Sequence, residues 1–394
     1  MDRRRLIPIF IIVFVNFLGG TIVLPVLPLY ATGHFGASPE AVTLLIASFF
    51  AAQFLAGPLL GRLSDQHGRV PVLLISQIGT VISFIMIGTA QSLAMLFAAR
   101  ILDGITGGNV IVAQAYVTDI TPREKRTRAL GLIFAAFGLG FIFGPAMGGL
   151  LARYFGETSP FYVGAAISLL TVILTAVTLD ESLTAEERLA RREQSRKLRV
   201  QDVTGNFSLI LLLGIAFIAQ FSFSLFQSTF ALYSEQAIFP TYSVDDVKLG
   251  VGLMLTAIGV GQFMTQIVLI QRLVSRLGER WLVALGAGLR AFGLLSLLLL
   301  DSPWLIGAVS LLAFAVGSGL MMPSLQSLTT VTVSDDLRGG VLGVYNSATS
   351  LGIITGSAIS GVLFAFDHRL PYIIGGSALA FTALAGLVHM RLRR

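Results

Sequence analysis

The sequence predicts an all-α membrane protein with twelve transmembrane helices in two pseudo-symmetric six-helix bundles. Three observations carry this expectation. The chain of 394 residues is 55% hydrophobic and only 12% charged, with a mean hydropathy of +0.83, whereas a soluble globular chain carries about a quarter charged residues. Apolar runs of roughly 20 residues, each enough to cross a ~30 Å hydrocarbon layer as a helix, recur from end to end. The longest polar stretch, residues 180–202, splits these runs six and six. Lipid offers backbone groups no other hydrogen-bond partner, so the spans must be helical.

The spans are expected near residues 6–30, 42–61, 70–90, 93–117, 129–152 and 161–179, then 207–234, 249–270, 281–300, 303–328, 339–365 and 371–390. Span one follows Arg3, Arg4 and Arg5. Its apolar stretch is too long for a signal-peptide core and no clean small-residue cleavage site follows, so it reads as an uncleaved helix. With the N-terminus in the cytoplasm, Arg153, Lys248 and Arg369 lie outside and Arg100 and Arg290 within spans. The rest of the 27 basic residues fall inside, as the positive-inside rule asks. Both termini are therefore expected in the cytoplasm, in a plasma (bacterial inner) membrane. Anionic lipid at the inner leaflet answers the net charge of +6, without nucleic acid. Zero cysteines and four scattered histidines argue against disulfides and a metal site. There is no P-loop, so ATP is not the expected driver, and no cofactor is implied.

Between spans two and three lies "GRLSDQHGRVP" (61–71), where Arg62, Asp65, His67 and Arg69 are spaced by Gly61 and Gly68. Asp65 sits where span two meets the cytoplasm, and a carboxylate there can cap a helix N-terminus. Span four carries Arg100 and Asp103 on one helix face. Ionisable residues inside a span are costly and default to functional candidates: either the two neutralise each other, or Asp103 takes and releases a proton. Span five contains Gly140, Gly144, Pro145, Gly148 and Gly149. Small residues four apart let helices approach closely, and Pro145 kinks the helix.

The chain is expected to divide into an N-terminal bundle (1–180), a cytoplasmic linker (181–205) and a C-terminal bundle (206–394). The linker, with its six basic residues, reads as a tether at the membrane surface. Gln220, Phe223, Gln227 and Phe230 follow one face of span seven, and Gln262 and Gln266 one face of span eight. With Asn16, Gln53, Gln114, Gln326 and Asn346 they offer an apolar wall with a few amides, which suits amphiphiles. Arg290 in span nine either holds an anionic group or lines a packing contact. The halves look related: "RLSDQHGR" (62–69) aligns with "RLVSRLGE" (272–279), keeping arginine, leucine and glycine but losing Asp65. At nearly the same offset "RTRALG" (126–131) meets "RGGVLG" (338–343), and Gly140, Gly144 and Gly149 fall opposite Gly352, Gly356 and Gly361. Parallel six-span repeats with a midplane site between them are a transporter plan, working by rocking one half against the other.

Residues 61–71 resemble the loop signature G-x-L-x-D-x-x-G-R of the major facilitator superfamily, through Gly61, Leu63, Asp65, Gly68 and Arg69. "LGGTIVLPVLP" (18–28), "RILDGITGG" (100–108) and "GLGFIFGPAMGG" (138–149) resemble the first-, fourth- and fifth-span motifs of its drug/proton antiporter branch. With "TDITPREKRTRALG" (118–131), the wording is most similar to the tetracycline/proton antiporters. The resemblance covers the N-terminal half strongly and the C-terminal half mainly through topology.

The resemblance implies a cytoplasmic gate of Gly61, Asp65, Gly68, Arg69, Asp119 and Arg126. Asp65 would cap span eleven near Gly339 and Gly340. Arg69 would pair with Asp119 in a dry bidentate geometry that Lys imitates poorly, a lock of ~1–3 kcal/mol on the outward-facing state. Tetracycline antiporters have an acid in span one where this sequence reads Asn16. Asparagine cannot titrate, so proton coupling falls to Asp103, beside Arg100; Glu235, at the outer end of span seven, reads as interfacial. The implied activity is export of drug-like amphiphiles by alternating access in exchange for protons, by a monomer that is no enzyme. The alternatives are the same fold moving lipid-like amphiphiles, sugars or organic anions without proton coupling, or a membrane sensor or scaffold. A switchable lock argues against the last.

Overall fold

A computed structural model describes residues 3–107, 109–121, 126–182, 203–300, 302–333 and 337–392. Most of the expected linker, residues 183–202, lies outside them. Among the described residues all regular structure is helical. Nine helical runs there are long and apolar enough to cross a membrane: Ile7–Phe35, Pro39–His67, Arg69–Gly88, Leu93–Ile120, Ser159–Thr178, Phe207–Ile238, Val244–Leu277, Pro303–Val331 and Gly340–Phe366. The helices Arg126–Phe155, Glu279–Ser296 and Leu370–Leu392 stand where spans five, nine and twelve are expected.

Two spans expected to be continuous are broken. Span one is Arg3–Ile22 followed by Leu27–Phe35, because Pro25 has no N–H to give and its ring crowds the preceding turn. The junction closes with tight turns instead, Val26 N–H donating to Val23 O at 3.1 Å and Leu27 N–H to the same oxygen at 2.9 Å. Span four is Leu93–Thr106 followed by Asn109–Ile120, and Gly107 N–H ends its first segment on Asp103 O at 2.6 Å. Span two, Pro39–His67, runs beyond its expected ends.

The chain forms two compact units. One comprises Met1–Ala37, Ser48–Ser195 and Ser243–Thr256; the other comprises Ser38–Ala47, Arg196–Tyr242 and Ala257–Arg394. Spans two and eight are thus divided, each sending its first part to the unit of the opposite half. In the first unit, span one packs on spans five and six, and span three on spans four and six. In the second, span seven packs on spans eleven and twelve, and span nine on spans ten and twelve.

The internal repeat has a structural counterpart. A methyl group added at Gly144 or Gly148 would overlap Thr21 or the Ile22 carbonyl of span one, and at Gly149 it would meet Lys248 O at 2.8 Å. In the second unit, methyls at Gly352 and Gly356 would meet Phe217 O and Phe221 O of span seven at 2.5 and 2.6 Å, and one at Gly361 would meet Glu40 Cα of span two at 2.5 Å. Each glycine row therefore lies against the opening span of its half and the first part of a divided span.

The turn at Gly68 recurs at Gly278. Gly68 has φ 106° and ψ 156°, Gly278 has φ 80° and ψ 158°, and each opens the next helix. This backbone region is essentially restricted to glycine. Around Gly278 there is open space for a side chain, so Gly278→Ala meets backbone strain alone. It is expected to lower stability by about 1–3 kcal/mol, read as a fall in the thermal unfolding midpoint in detergent.

Candidate functional site

At the junction of spans two and three the chain gathers charge around Arg69. Its guanidinium is shared: Nε donates to Asp119 Oδ2 at 3.0 Å, and Nη1 meets Asp65 Oδ1 and Ser64 Oγ, each at 2.6 Å. The Arg69 and Asp119 side chains are 12% and 4% exposed, whereas Asp65 is 62% exposed. The contact with Asp119 is a single bond from Nε, while Nη1 is engaged by Ser64 and Asp65 of span two. Arg126 opens the fifth helix, but its side chain lies outside the described residues.

Glu181 was not legible as part of this cluster. Its Oε1 accepts from Arg69 N–H at 2.8 Å and its Oε2 from Val70 N–H at 3.3 Å. Helix N-termini carry orphan N–H donors and partial positive charge, and Gly68 has no side chain with which to cap span three. Ser182 Oγ donates to Asp119 Oδ2 at 3.1 Å, and Tyr116 Oη to Asp180 O at 2.9 Å. The end of span six is thereby tied to the arginine cluster. The only sequence signal was an acidic pair, Asp180 and Glu181, closing span six.

Within span four, Arg100 Nη1 and Asp103 Oδ2 form an ion pair at 2.8 Å, with the side chains 12% and 8% exposed. The guanidinium lies over the Phe49 ring at 4.2 Å, and the hydroxyls of Ser83 and Thr80 lie beside the carboxylate. A methyl on Gly104 would meet Ala52 Cβ at 2.8 Å, so the pair is pressed against span two. Gln53 Nε2 donates to Gly107 O at 2.8 Å, satisfying a carbonyl freed where span four breaks.

Pro145 in span five has a partner from span eight. Thr256 Oγ1 accepts from Ala146 N–H at 3.1 Å and donates to Ile142 O at 2.8 Å. One hydroxyl thus bridges the backbone groups flanking the place where proline disturbs the helical ladder. Beyond the Gly-Pro stretch lies a second charged cluster. Lys248, 2% exposed, meets Glu157 at 3.3 Å and Asp245 at 3.2 Å; Arg153 pairs with Asp246, and His34 with Glu157 at 3.4 Å. The sequence marks Arg153 and Lys248 as rare outer cations; Asp245 lies one turn before Lys248 on the same helix, whereas Glu157 and the Arg153–Asp246 pair join distant parts of the chain.

The expected amide wall is dispersed over both units. Asn16 and Gln114 are half-buried in the first; Gln220, Phe223, Gln227, Gln262, Gln266 and Gln326 are half-buried in the second, where Asn346 is exposed. Phe230 is buried against Phe226, ring centroids 4.7 Å apart. Phe223 and Arg290 are brought together through Phe314, which stacks on Phe223 at 6.1 Å and lies 5.1 Å below the Arg290 guanidinium.

Comparison with known proteins gives a consistent result. The family model described as Major Facilitator Superfamily matches residues 9–250 and 226–394. The chain is 31% identical to a class C tetracycline resistance protein of Escherichia coli, over 98% of this chain and 97% of that protein. It is 28% identical to multidrug resistance protein 2 of Bacillus subtilis (strain 168), over 95% of this chain and 91% of that protein. Among solved structures, a D-xylose–proton symporter superposes with a TM-score of 0.77 over 97% of this chain and 96% of that one, at 18% identity.

Proposed function

The chain belongs to the Major Facilitator Superfamily, and on that premise we propose that it exports amphiphilic, drug-like small molecules by alternating access, in exchange for protons. It is a multi-pass membrane transporter and not an enzyme. Similarity over nearly the whole chain to tetracycline and multidrug resistance proteins supports export of amphiphiles.

The observation that carries the reading is the buried Arg100–Asp103 pair. An acid held inside a span persists where it moves charge, and Asp103 is the proton carrier, with Arg100 holding its ionised form. Gly61, Asp65, Gly68, Arg69, Asp119 and Arg126 form the cytoplasmic gate. Gly140, Gly144, Pro145, Gly148 and Gly149 make the opposing seal. The half-buried amides and Phe223 line the path of the cargo. Both termini lie on the cytoplasmic side of a bacterial inner membrane, where the basic residues of the linker between the halves meet anionic lipid. The protein works as a monomer.

Reconstituted vesicles carrying a ΔpH test this with three probes: ethidium, chloramphenicol and 1-naphthalenesulfonate. At least one is expected to accumulate, and to leak back when nigericin collapses the gradient. Accumulation indifferent to nigericin would replace exchange by another mode of transport. Movement of none would favour the sensor or scaffold.

A further inference from the structure

Arg290 is 1% exposed and stands near the middle of span nine. Among the described residues no carboxylate pairs with it. A guanidinium has five N–H donors and no way to shed its charge. Here Nη2 donates to Ala219 O at 2.8 Å, an oxygen already within the helical ladder of span seven. Nη1 faces the thioethers of Met321 at 3.8 Å and Met322 at 3.9 Å, both weak acceptors. Nε is buried without a partner. Close packing of spans nine and ten holds the arm in place, since a methyl on Gly317 would meet Arg290 Cγ at 2.9 Å. The first unit pairs its intramembrane arginine, Arg100, with an acid; the second leaves its own without one.

We propose that Arg290 is the anchor for the oxyanion of an amphiphilic anionic substrate, a carboxylate or sulfonate on an aromatic or alkyl body. An oxyanion supplies the paired acceptors that a guanidinium fork fits best. The surroundings suit the rest of such a molecule. Phe223 and Phe314 are stacked beside the charge, and Met321 and Met322 are unbranched side chains that repack readily. Phe223 is half-buried on the face of span seven that also bears the half-buried Gln220 and Gln227, which gives the anchor a polar approach. Tyr345 of span eleven, within electrostatic reach of the guanidinium, adds a phenolic donor. The proposal names the cargo class of the export reading above and rests on it.

The test compares 1-naphthalenesulfonate with its neutral analogue 1-naphthalenesulfonamide on the purified full chain, by titration calorimetry and thermal unfolding. The sulfonate is expected to bind the unchanged protein more tightly than the sulfonamide. Arg290→Gln should weaken the sulfonate about tenfold or more and leave the sulfonamide unchanged; Arg290→Lys should fall between. Equal binding of the two probes, no binding of either, or equal sulfonate binding by wild type and Arg290→Gln would overturn the site. Arg290→Met, without any probe, gives an independent reading. It is expected to raise the unfolding midpoint, because an uncompensated buried charge is removed. A lower midpoint, or failure to fold, would make Arg290 a structural strut and end the proposal. Sulfonate bound through Arg290, with none of the three probes moved into vesicles, would remove the transport reading and leave the site standing.

Discussion

Asp103→Asn is expected to reduce ΔpH-driven accumulation of the transported probe to the level of empty vesicles. Exchange of labelled for unlabelled probe, with no gradient, should continue. Asparagine keeps the size of the side chain and an oxygen for Arg100, 2.8 Å away in the native pair, but it cannot hold or release a proton. Arg100 is then left without its countercharge over the Phe49 ring. Removing one partner of a buried pair costs about 3–5 kcal/mol, so the unfolding midpoint should also fall. Asp103→Glu separates the two effects: it restores a titratable group on a longer arm and should recover part of the driven accumulation. Full driven accumulation by Asp103→Asn would assign the proton to another group.

The second large effect is expected at Arg69. Arg69→Ala strips the shared cation from Asp119, whose side chain is 4% exposed, and from Asp65. Glu181 keeps its two backbone donors, since these come from the main chain of Arg69 and Val70. The loss therefore falls on the carboxylates. Asp119 keeps the hydroxyl of Ser182, but removing the cation from a buried carboxylate is expected to lower both thermal stability and transport. Arg69→Lys keeps the charge but lacks the planar fork, and is expected to recover stability ahead of transport rate. Wild-type stability and flux in Arg69→Ala would show that the cluster carries no load.

Much of this was legible in the amino-acid order and some was not, for physical reasons. Hydropathy marks a span because lipid demands about 20 apolar residues in a helix, so the all-helical fold and the order of its spans could be read. Helical spacing put Arg100 and Asp103 on one face, and the structure joins them at 2.8 Å. The break at Pro25 was hidden because hydropathy is continuous across "LPVLP", although the proline itself was visible. Thr256, Glu181 and the Lys248–Glu157 contact were missed for a common reason: each joins distant parts of the chain, and periodicity within one helix is silent about what lies beside it. Arg290 is the converse case. Its charge was plain, but that no acid lies beside it is a fact of packing.

The paired turns at Gly68 and Gly278 carry a last consequence. Both hold nearly the same backbone angles, yet only the first has an aspartate and an arginine beside its glycine; the second has Ser275 and Glu279 in those places. The molecule thus contains its own matched control. A substitution at Gly278 reports the bend without the Asp65–Arg69 cluster, and the same substitution at Gly68 reports the bend with it. Comparing the two sets that cluster against the bend within a single polypeptide, without recourse to a relative.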